Sequence, residues 1–278
     1  MIKIKNSNRF NDLVFSVKDE DLVSSEGTSK GNQEKWKKDG YWIKRNFLGY
    51  ESLAEEVSSI LMSCVKNLNH VKYSRCKVSY KGITSDDYCC SKDFLNPGES
   101  IVNVGRLIKS LDSNLYSNLV DLHSYERAKK IIEFINMETG FNITNYLGNS
   151  IYLDSLILNE DRHLFNLALI KTNEGYTECP VFDNGLSLLS DLREYPMNRK
   201  LIDNIVDCKS RPFSDSFSTQ VRMFNELGVP PLEVDFKSFY NRIDKLKVSK
   251  KEEDFLERCL DVLYYTSNKL EGYSWVTI

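Results

Sequence analysis

Over the first 95 residues, apolar and polar positions alternate in short runs broken by Gly, Asn and Asp. Leu13-Val14-Phe15-Ser16-Val17, Gly40-Tyr41-Trp42-Ile43-Lys44 and the longer span 71–80 read as strands. Turn chemistry borders them, with Lys38-Asp39-Gly40 opening the second and Lys81-Gly82 closing the third. One helical segment lies between, 51–65, apolar at Leu53, Val57, Ile60, Leu61 and Cys64. After Asn96-Pro97-Gly98-Glu99 the period becomes helical, over 106–119, 124–137, 145–158, 219–227, 236–246 and 251–269. The interruption is 166–183, where Leu167-Ala168-Leu169-Ile170 and Cys179-Pro180-Val181-Phe182 flank Asn173-Glu174-Gly175. This spacing predicts a hairpin with Asn166 at one end and Asp183 at the other, brought close by the return of the chain. The pattern as a whole predicts an α+β chain: a β-rich N-lobe over 1–95, a hinge near 91–97, and a mainly helical C-lobe over 96–278. Residues 211–216, Arg211-Pro212-Phe213-Ser214-Asp215-Ser216, read as a loop between two helices.

Composition narrows the function classes. A chain of 278 residues with 41% hydrophobic content can bury a large core, and two lobes suit it better than one unit. Charged residues reach 28%, yet the net charge is −3 and the pI 5.8, which argues against direct nucleic-acid binding as the main activity. No apolar run is long enough to span a bilayer, and Met1-Ile2-Lys3-Ile4-Lys5-Asn6 does not resemble a secretory leader. A cytoplasmic location without membrane contact is the expectation. The seven cysteines are odd in number, contain no C-x-x-C, and include the adjacent pair Cys89-Cys90, whose spacing opposes mutual pairing. Three histidines lie scattered among them. Reduced, mostly buried thiols are expected, with no structural zinc.

The chemistry concentrates in Asp161-Arg162-His163-Leu164-Phe165-Asn166 and Phe182-Asp183-Asn184-Gly185. Each polar residue has an ordinary use when alone: Asp before a helix as a cap, Asn at a strand start as a turn residue, Asp-Asn-Gly as a tight turn. Together they supply what phosphoryl transfer requires. One carboxylate orients and deprotonates an acceptor hydroxyl, while an amide oxygen and a second carboxylate hold Mg²⁺ on the phosphates. Asp161 is the candidate base; Asn166 and Asp183 are the candidate metal ligands. His163 reads better as a group that orients the loop or Asp183 than as a proton carrier. Lys44 ends a strand, as a lysine reaching phosphates would, and the following helix offers Glu51, Glu55 or Glu56 as its partner. Residues 26–35 are small, flexible and polar, and their N–H groups suit phosphate oxygens. They form neither a Walker A loop nor a G-x-G-x-x-G, so a mobile surface loop is the competing reading. Trp36, Tyr41 and Trp42 read as packing rather than a stacking platform for bases.

With these residues in order, the chain resembles the HipA-like bacterial serine/threonine kinases, in particular the short members related to the cell-translocating kinase. That group shares its core fold and D-x-x-x-x-N arrangement with phosphoinositide kinases. Thr28-Ser29-Lys30-Gly31-Asn32-Gln33-Glu34-Lys35 is similar to the S-x-x-G-x-Q-E-K phosphate loop, and Ile43-Lys44 to the nucleotide lysine on its strand. Tyr50-Glu51-Ser52-Leu53-Ala54-Glu55 resembles the helix bearing the lysine's partner and points to Glu55. Ser91-Lys92-Asp93-Phe94-Leu95 falls where the hinge should be, and the resemblance runs over about 25–190.

The resemblance implies a bilobal protein-kinase-like fold, ATP and Mg²⁺ as cofactors, and transfer to a Ser or Thr hydroxyl of a protein. It implies cofactor contacts from Thr28, Ser29, Lys30, Gly31, Lys44, Glu55, Asp93, Phe94, Leu95 and His163. It also implies self-phosphorylation within the phosphate loop, at Thr28 or Ser29, and admits an antitoxin-like protein partner. Longer members carry an extra N-terminal subdomain ahead of the loop, whereas 27 residues precede Thr28 here. Two other readings keep part of this picture. One changes the acceptor to a phosphoinositide or small-molecule alcohol, against which stands the lack of a polybasic or amphipathic basic segment. The other is a catalytically silent nucleotide-binding regulator, against which stands the presence of every residue catalysis needs.

Overall fold

The computed structural model describes residues 13–23, 33–271 and 276–277. Thr28, Ser29, Lys30 and Gly31 lie outside the described residues.

The first half builds a five-stranded sheet in the order β1-β4-β5-β3-β2. Its members are β1 (Val14–Val17), β2 (Lys35–Lys38), β3 (Tyr41–Arg45), β4 (Tyr73–Tyr80) and β5 (Ile83–Lys92). β1 runs parallel to β4, and the other pairings are antiparallel. The strands expected over 13–17, 40–44 and 71–80 are present. β2 and β5 were not anticipated. β2 shows only one apolar residue, Trp36, yet its indole is fully buried. The first half of β5, Thr84-Ser85-Asp86-Asp87, is polar; pairing across a tight turn holds it, with Lys81 and Gly82 at φ 49° and 79°. Two successive positive φ values give the twist a two-residue hairpin needs. Phe15, Val17, Trp36, Ile43, Cys76, Val78, Tyr88 and Cys90 fill one face of the curled sheet. Cys89 points to the opposite face and packs with Val71 and Tyr73. Pleating thus sends the adjacent cysteines apart, and all seven cysteines are free and buried.

The helix α1 (Glu51–Met62) is buried along almost its whole length. It packs on β4 and β5 and also on two helices from the chain's end, α8 (Phe236–Ile243) and α9 (Glu253–Glu271). Leu53, Ala54, Val57 and Leu61 therefore belong to the same core as the helical half.

That half begins with β6 (Ser100–Asn103), which joins β7 (Ala168–Thr172) and β8 (Gly175–Glu178) in a three-stranded sheet. The β7–β8 hairpin was expected; its third strand was not. The single helix expected over 106–119 is two, α2 (Val104–Leu111) and α3 (Ser113–Asn118). Asp112 breaks it: its backbone leaves the helical region at φ −145°, and its side chain accepts from the Leu115 N–H to cap the second helix. α4 (Ser124–Thr139) closes on Gly140 at φ 68°, and α5 (Thr144–Ile157) runs through the middle of the core. α6 (Leu201–Asp207) and α7 (Phe217–Glu226) follow, with α7 and α9 packed on α5. Among the described residues, no helix is long and apolar enough to cross a membrane.

α5 meets its neighbours closely at Gly148, where a Cβ would stand 2.5–2.9 Å from three Val229 side-chain atoms. Gly148→Ala gains about 1 kcal/mol of helix propensity. Overpacking costs about 1–3 kcal/mol and should win. Urea unfolding is expected to show a lower midpoint with an unchanged slope, and Gly148→Ala with Val229→Ala should cost less than the two changes summed.

Candidate active site

α5 ends at Leu158, whose φ of 51° turns the chain sharply into 159–166. Side chains then stitch the loop to itself. Asn159 donates from Nδ2 to Asp154 Oδ1 at 3.0 Å and accepts from the Asp161 N–H at 3.1 Å. The Asp161 carbonyl accepts from His163 N–H at 2.9 Å and from Asn166 Nδ2 at 2.9 Å. Committing the amide nitrogen of Asn166 in this way turns its oxygen to the other side. His163 accepts at Nδ1 from the Phe165 N–H at 3.2 Å, so its contacts serve its own loop. Burial pushes the His163 pKa down, which favours the neutral ring this bond requires.

The centre of the arrangement is Arg162, 1% exposed at the base of the loop. Its guanidinium pairs with Asp154 on α5, with Nε 2.9 Å from Oδ2 and Nη2 3.0 Å from Oδ1. Nη1 donates to the carbonyls of Asn166 (3.2 Å) and Phe182 (2.8 Å), and Nη2 to Asn184 Oδ1 at 2.6 Å. One side chain thereby joins the two segments that carry Asn166 and Asp183. Burial pushes the Asp154 pKa up and opposes the charge on Arg162; the pair's mutual attraction keeps Arg162 protonated.

A second knot holds Lys44. Lys44, on β3, lies 2.9 Å from Glu55 Oε1 and 2.6 Å from Asp183 Oδ1. The other Glu55 oxygen accepts from the Asn184 N–H at 3.0 Å, so α1 and the segment after β8 are tied through one carboxylate. Of Glu51, Glu55 and Glu56, it is Glu55, the one the resemblance points to, that lies beside Lys44. Glu51 accepts from the N–H groups of Phe47, Leu48 and Gly49, and Glu56 pairs with Arg75. Tyr73 lies under Lys44, with Nζ 4.9 Å from its ring centre and 3.4 Å from its hydroxyl. Burial opposes ionisation throughout, but Lys44 and Lys35 outweigh it at Asp183, whose pKa falls below the carboxylate range. The two carboxylates likewise hold Lys44 well above its ordinary value despite burial. Lys35, opposite Lys44 in the β2–β3 register, is pushed down by burial. Gly185 fits closely against α1, where a Cβ would lie 3.3 Å from that of Glu51.

Asp161 and Asp183 line one cleft of ≈ 580 Å³, together with Gln33, Lys35, Glu51 and residues 185–194 and 209–211 in part. Lys44, Glu55, His163 and Asn166 are not among its lining residues, and neither are Asp93, Phe94 and Leu95. Phe94 and Leu95 pack with Phe182 and with Ala168, Ile170 and Cys179. Asp93 pairs with Lys37 at 2.6 Å and donates its N–H to the Gly40 carbonyl, closing β3 onto the chain after β5. The sequence assigns no side-chain role to Asp154, Arg162, Asn184 or Tyr73, and places Lys35 only as the last residue of the stretch similar to a phosphate loop. A signal existed for the first: an Asp inside the apolar run Ile151-Tyr152-Leu153-Asp154-Ser155-Leu156-Ile157 must find a cation once buried.

Removing that cation leaves a buried charge. Arg162→Met is expected to cost about 3–5 kcal/mol in urea unfolding. Adding Asp154→Leu should recover much of the loss. The loop backbone would still lack its shared donor, so amide exchange at 163–166 and 182–184 should stay faster than in the parent.

No protein-family model matches the chain, and no curated protein matches it. Among solved structures, the Helicobacter pylori proinflammatory kinase CtkA is similar in fold. The TM-score is 0.56 at 15% sequence identity, covering 89% of this chain and 92% of that one. At such an identity the likeness carries architecture, and the chain has an α+β, bilobal kinase-like fold.

Proposed function

We propose that this protein is an ATP- and Mg²⁺-dependent serine/threonine protein kinase of the HipA-like type. The observation that carries the reading is the pair of knots sharing Asn184: Lys44 between Glu55 and Asp183, and Arg162 joining the Asn166 and Phe182 backbones. Kinase-type phosphoryl transfer uses these residue types in these roles.

The donor set fits magnesium. Asp183 offers a carboxylate and Asn166 an amide oxygen, both hard oxygen ligands, and nucleotide phosphates and water would complete the shell. No group of three or more His, Cys, Asp or Glu residues suited to a metal occurs among the described residues, which disfavours a closed protein-only site. Mg-ATP would supply the transferable phosphoryl group and a cation to neutralise its charge. Asp161 would orient the acceptor hydroxyl and take its proton on a carboxylate oxygen. Lys44, kept protonated by two carboxylates, would place fixed positive charge on the phosphates. Glu55 would keep Lys44 from swinging away, and Arg162 would keep the two metal-ligand segments in register. A phosphate on Thr28 or Ser29 would add about −2 of charge to the phosphate loop and oppose nucleotide binding.

Intact-protein mass after incubation with Mg-ATP tests the reading. The parent should gain one phosphoryl group, with fragment masses placing it at Thr28 or Ser29. Asp161→Asn should bind ATP but lose transfer by about 10²-fold or more. Asp183→Ala should lose both. Nucleotide binding with transfer to no acceptor would make the protein a regulator instead; no binding at all would end the kinase reading.

A further inference from the structure

The cleft has a second feature that catalysis does not use. Beyond Asp161, its mouth is formed by Arg193, Glu194, Lys209 and Arg211, all exposed. Three are cations and one is an acid. The acids deeper in the wall are already engaged. Glu51 accepts from three backbone N–H groups, Glu160 from the Tyr195 hydroxyl at 2.6 Å, and Asp191 from the Arg193 N–H at 3.0 Å. Arg193 is partly occupied too, with Nε 3.5 Å from Asp191 Oδ1 and its guanidinium 5.6 Å from the Phe47 ring centre. Lys209 and Arg211 form no ion pair with any described residue.

These two cations stand on a fixed backbone. Ser210 donates its N–H to the Asp215 carbonyl at 3.0 Å and its hydroxyl to the Ser214 carbonyl at 2.8 Å. Gln220 on α7 donates to the Arg211 carbonyl at 3.0 Å and accepts from the Phe213 N–H at 2.8 Å. Arg127 on α4 donates to the Pro212 carbonyl at 3.1 Å, and Phe213 is buried against Phe224 with ring centres 5.5 Å apart. A loop held at so many points presents its charges with little ordering left to do on binding.

We propose that Lys209 and Arg211 are specificity determinants for the acceptor: the kinase selects a polypeptide whose Ser or Thr is flanked by an acidic or phosphorylated residue. The inference rests on the kinase reading above. The acceptor hydroxyl, neutral, goes to Asp161; the flanking anion meets the cations at the rim. A polyphosphorylated inositol headgroup fits less well, because it would bring several negative charges against the carboxylates of Glu51, Glu160, Asp161 and Asp191 along the same wall. A peptide separates the two requirements along its length.

The test is transfer from Mg-ATP to matched Ser-acceptor peptides with Glu, phosphoserine, Ala or Lys at each flanking position, using the full chain. The parent should favour the best acidic peptide over its Lys counterpart by about tenfold in kcat/KM, as several exposed charge pairs of modest strength allow. The preference should collapse near 1 M salt, where the screening length is about 3 Å. Lys209→Glu with Arg211→Glu should reverse the order toward Lys peptides, in a protein whose melting temperature shows it folded. Should that variant not fold, the salt response of the parent decides the same question. Equal use of acidic and basic peptides by an enzyme that phosphorylates itself would overturn this proposal and leave the kinase reading standing. So would transfer to phosphoinositide vesicles with none to peptides. No transfer to itself or to any acceptor would remove the kinase reading, and this proposal with it.

Discussion

A guanidinium taken almost wholly out of water has to be met on every side, and Arg162 is met by a carboxylate, an amide and two backbone carbonyls. Desolvating such a charge is expensive, and only near-complete hydrogen bonding offsets it. That constraint shapes the site. The partners of Arg162 come from α5, from the loop after it and from the segment after β8, so the ion pair is satisfied only when all three have their final relation. A slack loop at 159–166 would leave either Asp154 or Arg162 unpaired in the core. The pair contributes little net stability compared with an apolar alternative of the same size; its effect is to make one loop arrangement far better than others.

The Lys44 knot works by the same logic at the junction with the sheet. Lys44, Glu55 and Asp183 come from β3, α1 and the chain after β8, separated by up to 139 residues of sequence. Behind Glu55, its neighbour Glu56 points the other way to Arg75 on β4, which also pairs with Glu252 and donates to the Lys247 carbonyl. Successive glutamates on α1 therefore reach two separate cations, one beside Asp183 and one against the chain ahead of α9. Tyr50 adds a stacking contact on Phe255 of α9, with ring centres 4.8 Å apart. Held from both sides and buried in the common core, α1 has little freedom to withdraw Glu55 from Lys44.

Much of this was visible in the residues. Helical periodicity located α1, α4, α5, α7, α8 and α9 to within a few residues, because each buries an apolar stripe. Lys81-Gly82 marked the turn that sets the β4–β5 register, and the hairpin between Asn166 and Asp183 followed from Asn173-Glu174-Gly175. The misses share a cause. β2 and the outer half of β5 are polar strands that exist because neighbours offer their hydrogen-bonding edges, and β6 forms because β7 is there to pair with it. The break at Asp112 is a capping event that a run of helix-compatible residues conceals. Periodicity reports burial, and these elements owe their shape to partners instead.

At the site, the sequence by itself determined the chemical types and their order: an acid, an amide five residues on, a second acid seventeen beyond that, and a lysine on an early strand. Position on the helix left Glu51, Glu55 and Glu56 open as the lysine's partner, and only the family resemblance pointed to Glu55. The tertiary structure separated them, because a side chain's partner depends on which surface its helix face meets. The pairing of Asp154 with Arg162 has no local signature for a related reason. Their importance comes from burial, and whether a charged residue is buried is a property of the assembled chain. The cationic rim likewise joins 193 to 209 and 211 across α6, and a long-range arrangement of charges has no local signature. Local physics writes elements and reactive groups into the sequence; which groups share a dielectric environment is settled only when distant segments pack.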